Sequence, residues 1–289
     1  MVKYIPSSLD DALEFLATHD AYIVAGGSDL MVLKRNSAGL LPKFDKDVLF
    51  ISNLKELKRI YREGDEIHIG AGATLDEVYL DENTPKLLRE CIEEVASINI
   101  RHFATLVGNI TNASPAGDTI VIDYLLDAKL KLVSKKGVRY VNAEDFVLGV
   151  RKIDRRSDEL VTEIIFPKQH FTGRMWYKVG SRKADSISKV SVAGVYAVKE
   201  NKITKFALAF GSVAITVKRS HEIEKEIEGL TIAEFKARED EFVEKYLKII
   251  SPIDDQRSNK EYRMMVAKNI TRKFFKQVEE ASNELYQRF

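Results

Sequence analysis

The order of strands and helices along the chain predicts an α+β protein. Up to Pro167, strand-like and helix-like segments are mixed without regular βαβ alternation. Three long alternating segments follow as an antiparallel meander, and helices with capping signals close the chain. At 289 residues with 45% hydrophobic content, the chain has enough apolar material for two or three lobes with sizeable cores.

Taken in order, Ser8 can cap a helix and Asp11 can complete its capping box, and Leu9, Ala12, Leu13 and Leu16 share one face, which predicts a helix over about 8–18. Tyr22-Ile23-Val24-Ala25 reads as a short strand ending in Gly26-Gly27-Ser28-Asp29, with a helix after it through Leu30, Met31, Leu33 and Lys34. Strand, glycine pair, hydroxyl and helix make a turn suited to a phosphate: the glycines permit positive φ and close approach, and free helix N–H groups face the anion. Residues 48–51, 57–61 and 67–71 predict strands around the Glu63-Gly64-Asp65 turn. Gly70-Ala71-Gly72 is not a dinucleotide fingerprint, because Leu75 stands where the third glycine belongs and Thr74 already caps the next helix, so a Rossmann fold is disfavoured. A helix over 85–97 and a hairpin of 130–133 with 139–141 across Lys135-Lys136-Gly137 are expected, then a strand over 159–167 closed by Pro167.

Beyond Pro167, residues 175–180, 190–198 and 203–212 predict a three-stranded antiparallel sheet, the last two strands joined by Lys199-Glu200-Asn201-Lys202. Helices are expected from the capping boxes Thr231-Ile232-Ala233-Glu234 and Ser258-Asn259-Lys260-Glu261. The second helix carries Tyr262, Met265, Val266, Ile270, Phe274 and Val278 on a rough stripe of core character.

Residues 100–118, from Ile100-Arg101 through Ala104-Thr105 and Gly108-Asn109 to Gly117-Asp118, read as neither helix nor alternating strand. Small hydroxyl and amide residues crowd between Gly108 and Gly117 and compete with regular backbone pairing. An apolar run over 120–126 follows, so Asp118 or Thr119 is expected to cap a helix whose N-terminus points back at the loop. Such a loop can wrap an anionic or polyhydroxylated ligand. A well-capped surface loop is the alternative on composition alone.

Composition removes several function classes. A net charge of +1 from 45 basic and 44 acidic residues gives no global attraction for nucleic acid, and the basic pairs Lys34-Arg35, Arg155-Arg156 and Lys218-Arg219 read as solvated faces. The single cysteine excludes an internal disulfide and fits the cytoplasm. Cys91 shares helical spacing with Leu87, Leu88, Ile92, Val95 and Ala96, which reads as a core thiol. No signal peptide, membrane span or P-loop is expected, and the five histidines show no metal-ligand spacing, so no protein-bound metal and no catalytic triad is assigned.

The stretch over 100–118 resembles the second flavin-binding loop of the FAD-carrying subunit or domain of the molybdenum hydroxylases, the family of xanthine dehydrogenase, carbon monoxide dehydrogenase and aldehyde oxidoreductase. The family pattern runs Ile-Arg, a gap, Ala-Thr, an apolar residue, Gly-Gly-Asn, then Asn-Ala-Ser-Pro and Asp; Val107 departs, standing where the first glycine of the pair is usual. Ala25-Gly26-Gly27-Ser28-Asp29-Leu30 resembles the first flavin loop of the same family. Phe210-Gly211-Ser212-Val213-Ala214 and Asp255-Gln256-Arg257-Ser258 with Tyr262-Arg263 resemble the C-terminal domain of the carbon monoxide dehydrogenase flavoprotein, so the resemblance covers nearly the whole chain.

The resemblance implies a two-lobed FAD-binding domain over 1–170 of the vanillyl-alcohol oxidase and para-cresol methylhydroxylase type, with lobes of about 1–55 and 56–170, and a C-terminal domain over 171–289. It places a non-covalent FAD on Ile23, Val24, Ala25, Gly26, Gly27, Ser28, Asp29 and Leu30 of the first loop and on Thr105, Gly108, Asn109, Thr111, Asn112, Gly117 and Asp118 of the second. Leu160 and Val161 match backbone contacts at the ring end, Lys178 a lysine near the flavin, and Ile187 an apolar residue bordering the ring. No protein residue is implied as a catalyst, because the isoalloxazine does the redox chemistry.

The implied role is an FAD subunit that takes electrons from the [2Fe–2S] clusters of a small iron–sulfur subunit, beside a large molybdopterin subunit, and passes them to an acceptor such as NAD. A lone Cys91 cannot ligate a cluster that needs about four thiolates. Two other readings stand beside it: a self-contained flavin oxidoreductase of the same fold, and a non-redox binding module that lost tight FAD binding, for which Val107 is the sequence hint.

Overall fold

A computed structural model describes residues 2–284. The described residues gather into two units that are not collinear with the sequence: residues up to Ser114 join Asp127–Lys168 in the first, and Pro115–Leu126 joins the residues from Gln169 onward in the second.

The chain begins with β1 (Lys3–Tyr4), α1 (Leu9–Thr18), β2 (Ala21–Val24), α2 (Leu30–Leu33) and β3 (Asp47–Phe50), and the three strands form a parallel sheet in the order β1-β3-β2. Ser8 caps α1 as expected, its Oγ accepting the Asp11 N–H at 3.2 Å. Asp11 does not complete a box. Its carboxylate accepts the Ser7 N–H and the Tyr4 hydroxyl instead.

The strand expected over 57–61 begins late, because Lys55–Lys58 is a 3₁₀ turn and β4 (Ile60–Glu63) starts only after it; β5 (Glu66–Gly70) pairs with it antiparallel. Thr74 opens α3 (Leu75–Leu80) through a reciprocal capping box with Glu77. The next helix, α4 (Lys86–Glu93), is shorter than the expected 85–97 and buries Leu87, Leu88, Cys91 and Ile92 on one side.

Residues 100–118 correct the sequence reading most. They hold the end of α5 (Ile98–Arg101) and all of α6 (Leu106–Asn112), so only 113–117 is irregular after the second helix. Hydroxyl side chains in and around this stretch serve the helices. Ser97 and Thr105 cap α5 and α6 by accepting the N–H groups of Ile100 and Gly108, and Thr111 returns its hydroxyl to the Val107 carbonyl at 2.8 Å. Gly117, rather than Asp118 or Thr119, is the N-cap of α7 (Asp118–Leu125), and Asp118 is its first helical residue.

The first unit resumes with the hairpin β6 (Lys129–Ser134) and β7 (Gly137–Asn142), then α8 (Ala143–Phe146), the two-stranded ribbon β8 (Val147–Gly149) and β9 (Lys152–Ile153), and β10 (Leu160–Pro167). β10 lies at the centre of an antiparallel sheet ordered β4-β5-β10-β6-β7. Leu160, Val161, Ile164, Ile165 and Phe166 are all buried, so both faces of this strand are covered, and α6 packs against it.

In the second unit β11 (Gly173–Val179), β12 (Val190–Lys199), β13 (Lys202–Gly211) and β14 (Lys218–Arg219) form a four-stranded antiparallel sheet in that order. The expected meander is its first three strands; the fourth is a two-residue strand paired to Ala209 and Phe210, too short to show alternation in sequence. Nor is Lys218-Arg219 a solvated basic pair. Arg219 is buried, its Nε 2.8 Å from the Glu224 carboxylate and its Nη1 donating to the Tyr124 carbonyl.

Helices α9 (His221–Ile227), α10 (Ile232–Ala237), α11 (Glu239–Ile249) and α12 (Lys260–Glu284) cover the sheet, with α12 against β12. The Thr231–Glu234 box is present, whereas Asn259 rather than Ser258 caps α12 by accepting the Tyr262 N–H at 2.8 Å. Phe206, Phe235, Phe274 and Phe275 meet in the core, with ring centroids 5.4 Å apart for Phe206 and Phe274. No helix among the described residues is long and apolar enough to cross a membrane.

α7 packs on β12 and β13 and is buried all round. Asp123 is therefore fully buried, and neither of its carboxylate oxygens has a hydrogen-bond partner. Burial pushes its pKa well above the usual carboxylate value. With the folded pKa raised above the unfolded value of about 3.9, the folded chain binds the proton more tightly. This site's contribution is then full below about pH 3.9 and is lost as pH rises through the folded pKa. Asp123→Asn is expected to raise the melting temperature at neutral pH and to flatten its fall with pH; a lower melting temperature at neutral pH in the variant would show that the carboxylate is accommodated as an anion.

Candidate functional site

The site grows from the turn after β2. The Ile51 N–H donates to the Val24 carbonyl at 2.9 Å and fixes where β2 ends, and Gly27 adopts φ +69, the left-handed region that suits glycine. The Met31 N–H then closes on the Gly27 carbonyl at 2.9 Å and turns the chain into α2. Gly26 lies directly against the backbone of the α5–α6 connection: a Cβ there would overlap the Phe103 carbonyl. The Leu75 N–H holds that connection from the other side, donating to the Ala104 carbonyl at 2.7 Å.

Between these segments is a cavity of about 380 Å³. Its walls are the turn from Ala25 to Leu30, the pocket side of α6 through Thr105, Val107, Gly108, Asn109, Thr111 and Asn112, and the start of β10 at Leu160 and Val161. Every FAD-binding residue assigned within the first unit from the sequence lines this one cavity, Ile23 and Val24 included. Gly108 has a local reason to be glycine, since a Cβ there would come within 2.7 Å of the Thr105 hydroxyl that caps α6. Val107, by contrast, lies in the first turn of α6, buried and lining the cavity.

Gly117, Asp118, Lys178 and Ile187 belong to the second unit. Asp118 and Lys178, assigned separately from the sequence, form one buried ion pair at 2.7 Å, and Ser188 donates to the other Asp118 oxygen at 2.5 Å. Burial raises the Asp118 pKa, and the Lys178 ammonium and both hydrogen bonds pull against that rise. Ile187, next to Ser188, is exposed.

Two cavity-lining cations escaped the sequence reading, Arg151 and Arg155. Arg155-Arg156 read as a solvated pair, yet the Arg155 Nη1 donates to the carbonyls of Arg156, Ser157 and Glu159 at 3.0, 3.3 and 2.7 Å, and burial lowers its pKa. Arg151 sits in the β8–β9 turn with its Nη1 on the Asn112 side-chain carbonyl at 2.9 Å. A basic pair in sequence carries no sign of which arginine the fold turns inward.

Residues 2–169 match the family described as the FAD binding domain in molybdopterin dehydrogenase, and residues 175–278 match the CO dehydrogenase flavoprotein C-terminal domain. The chain belongs to the flavoprotein family of the molybdopterin dehydrogenases. This flavoprotein is 30% identical to the glyceraldehyde dehydrogenase medium chain of Sulfolobus acidocaldarius over 94% of its own length and 95% of that chain. It is 28% identical to the xanthine dehydrogenase FAD-binding subunit of Escherichia coli O157:H7, with 92% of each chain covered. Among solved structures, a chain of the Cu,Mo-CO dehydrogenase in its cyanide-inactivated form shares the fold with a TM-score of 0.86, at 24% identity over 97% of this chain and 98% of that one.

Gly26→Ala is expected to force the two loops of the flavoprotein apart and to cost about 1–3 kcal/mol as an overpacked site. Hydrogen exchange should show it locally, as faster exchange of the Leu75 amide, while the amides of β12 and β13 keep their protection. Unchanged exchange at Leu75 would mean that the loops tolerate a side chain at Gly26.

Proposed function

We propose that this chain is the FAD-carrying subunit of a molybdopterin dehydrogenase. It takes electrons from the iron–sulfur clusters of a small partner subunit and passes them to an external acceptor such as NAD, beside a large subunit that holds molybdopterin, in the cytoplasm. The observation that carries this reading is the single cavity on which both glycine-containing segments and the start of β10 converge. Its volume, about 380 Å³, falls among small-molecule sites, and its wall at Gly26 and Gly27 is backbone that a Cβ would obstruct or strain. The parallel sheet β1-β3-β2 and the antiparallel sheet centred on β10 support a two-lobed first domain of the vanillyl-alcohol oxidase type.

Bound there, the isoalloxazine of FAD would supply the redox chemistry. The residues of this chain bind and orient. Gly26, Gly27 and Ser28 present close backbone, Thr105, Asn109, Thr111 and Asn112 supply polar groups, and Leu160 and Val161 an apolar wall. The Asp118–Lys178 pair, with Ser188, fixes the Lys178 ammonium within the second unit and balances its charge. Cys91 is fully buried in α4, which supports iron–sulfur clusters held by a partner.

Anaerobic mixing with purine, aldehyde or carbon monoxide separates the possible roles. The flavin of the isolated chain is expected to stay oxidised and to be reduced only after reassembly with the two partner subunits. Substrate-dependent reduction in the isolated chain would favour a self-contained oxidoreductase.

A further inference from the structure

The geometry points to Arg151 and Arg155 as the cations that hold the diphosphate of the dinucleotide, on the premise that the cavity binds FAD. Both line the cavity, and both come from the β8–β9 turn and the segment after it, remote in sequence from either glycine-containing loop.

Neither arginine has a carboxylate within ion-pair distance among the described residues, although acids are near. Arg139 takes Asp154 and Glu159 at 2.7 Å each, and Lys136 takes Asp158 at 2.7 Å. Arg155 is instead held by three backbone carbonyls, all through Nη1, which fixes its direction without neutralising its charge and leaves Nε and Nη2 free. A guanidinium fixed this way keeps the donor edge that pairs with phosphate oxygens.

Arg151 is placed at some conformational cost. Its φ is +55, and its N–H donates at 2.9 Å to the carbonyl of Ala113, itself at φ +47 where α6 ends. Two left-handed residues other than glycine, bonded to each other beside a cavity, are the kind of strain that surroundings maintain at ligand clamps. Asn112 then steers the side chain through its bond to Nη1. The charged side chains of the wall are Asp29 against Arg151 and Arg155, so the balance favours an anion. A diphosphate supplies it, and its charge offsets the cost of holding the partly buried Arg155 guanidinium without a carboxylate partner, while Arg151 reaches the same anion from the exposed rim.

The test uses the full chain stripped of flavin, titrated calorimetrically with FAD, ADP and riboflavin at low and high salt. FAD and ADP carry the diphosphate; riboflavin is uncharged. Arg151→Ala and Arg151→Gly, the second suited to the left-handed backbone, are expected to weaken FAD and ADP by about tenfold, or about 1.4 kcal/mol, and to leave riboflavin unchanged. The salt dependence of FAD binding should become shallower in both variants. Arg155→Lys, which keeps a donor for the three carbonyls but loses the planar fork, is expected to show the same selective loss in smaller measure. Equal weakening of FAD and riboflavin, or unchanged FAD binding, in the Arg151 variants would overturn the assignment. Failure of the unsubstituted chain to bind FAD would overturn the flavin premise itself, and this assignment with it.

Discussion

The contact between Gly26 and the Phe103 carbonyl sets the shape of the site. Two backbone segments can lie this close only where one of them has no Cβ, and the cavity is the space that remains beside the contact. The neighbouring constraints follow from it. Gly27 must take a left-handed turn to enter α2, the Leu75 amide must hold the Ala104 carbonyl, and Thr105 must cap α6 over Gly108 so that the pocket side of the helix faces inward. None of these is a strong interaction alone. Together they fix a concave backbone surface, the kind of surface that recognises a phosphate-bearing ligand through direction rather than through one dominant bond.

Two buried carboxylates inside the second unit are met in opposite ways. Asp118 and Asp123 both lie on α7, five residues apart, and burial raises the pKa of both. Asp118 is compensated by Lys178 and Ser188, whereas Asp123 has no partner for either oxygen. A buried carboxylate without partners is a place where stability is given up, and natural folds concentrate such departures near functional elements. That α7 joins the second unit, while the segments on both sides of it belong to the first, makes its packing on β12 and β13 part of that second core.

Local signals were legible in sequence. The caps at Ser8, Thr74 and Thr231, the hairpin of β6 and β7, the three long strands after Pro167 and the first glycine turn all depend on residues within a few positions of one another. What escaped depends on distant partners or on competition between rules. Residues 100–118 read as a loop because threonine and asparagine disfavour helices in isolation, but Thr105 and Thr111 satisfy their hydroxyls inside α6. The strand Lys218–Arg219 was hidden by its length, and the inward turn of Arg219 by the Tyr124 carbonyl, which only the fold brings to it. Arg151 and Arg155 enter the cavity from a turn that carries no glycine signature, so no local motif marked them.

The backbone cavity beside Gly26 is the proposed site of one FAD. Native mass spectrometry of the purified chain, with and without Gly27→Asp, tests it most directly. The expected result is the mass increment of a single FAD on the unsubstituted chain and a bare mass for the variant, with both proteins folded. An unsubstituted chain that stays bare in excess FAD, or a variant that retains the full increment, would contradict it.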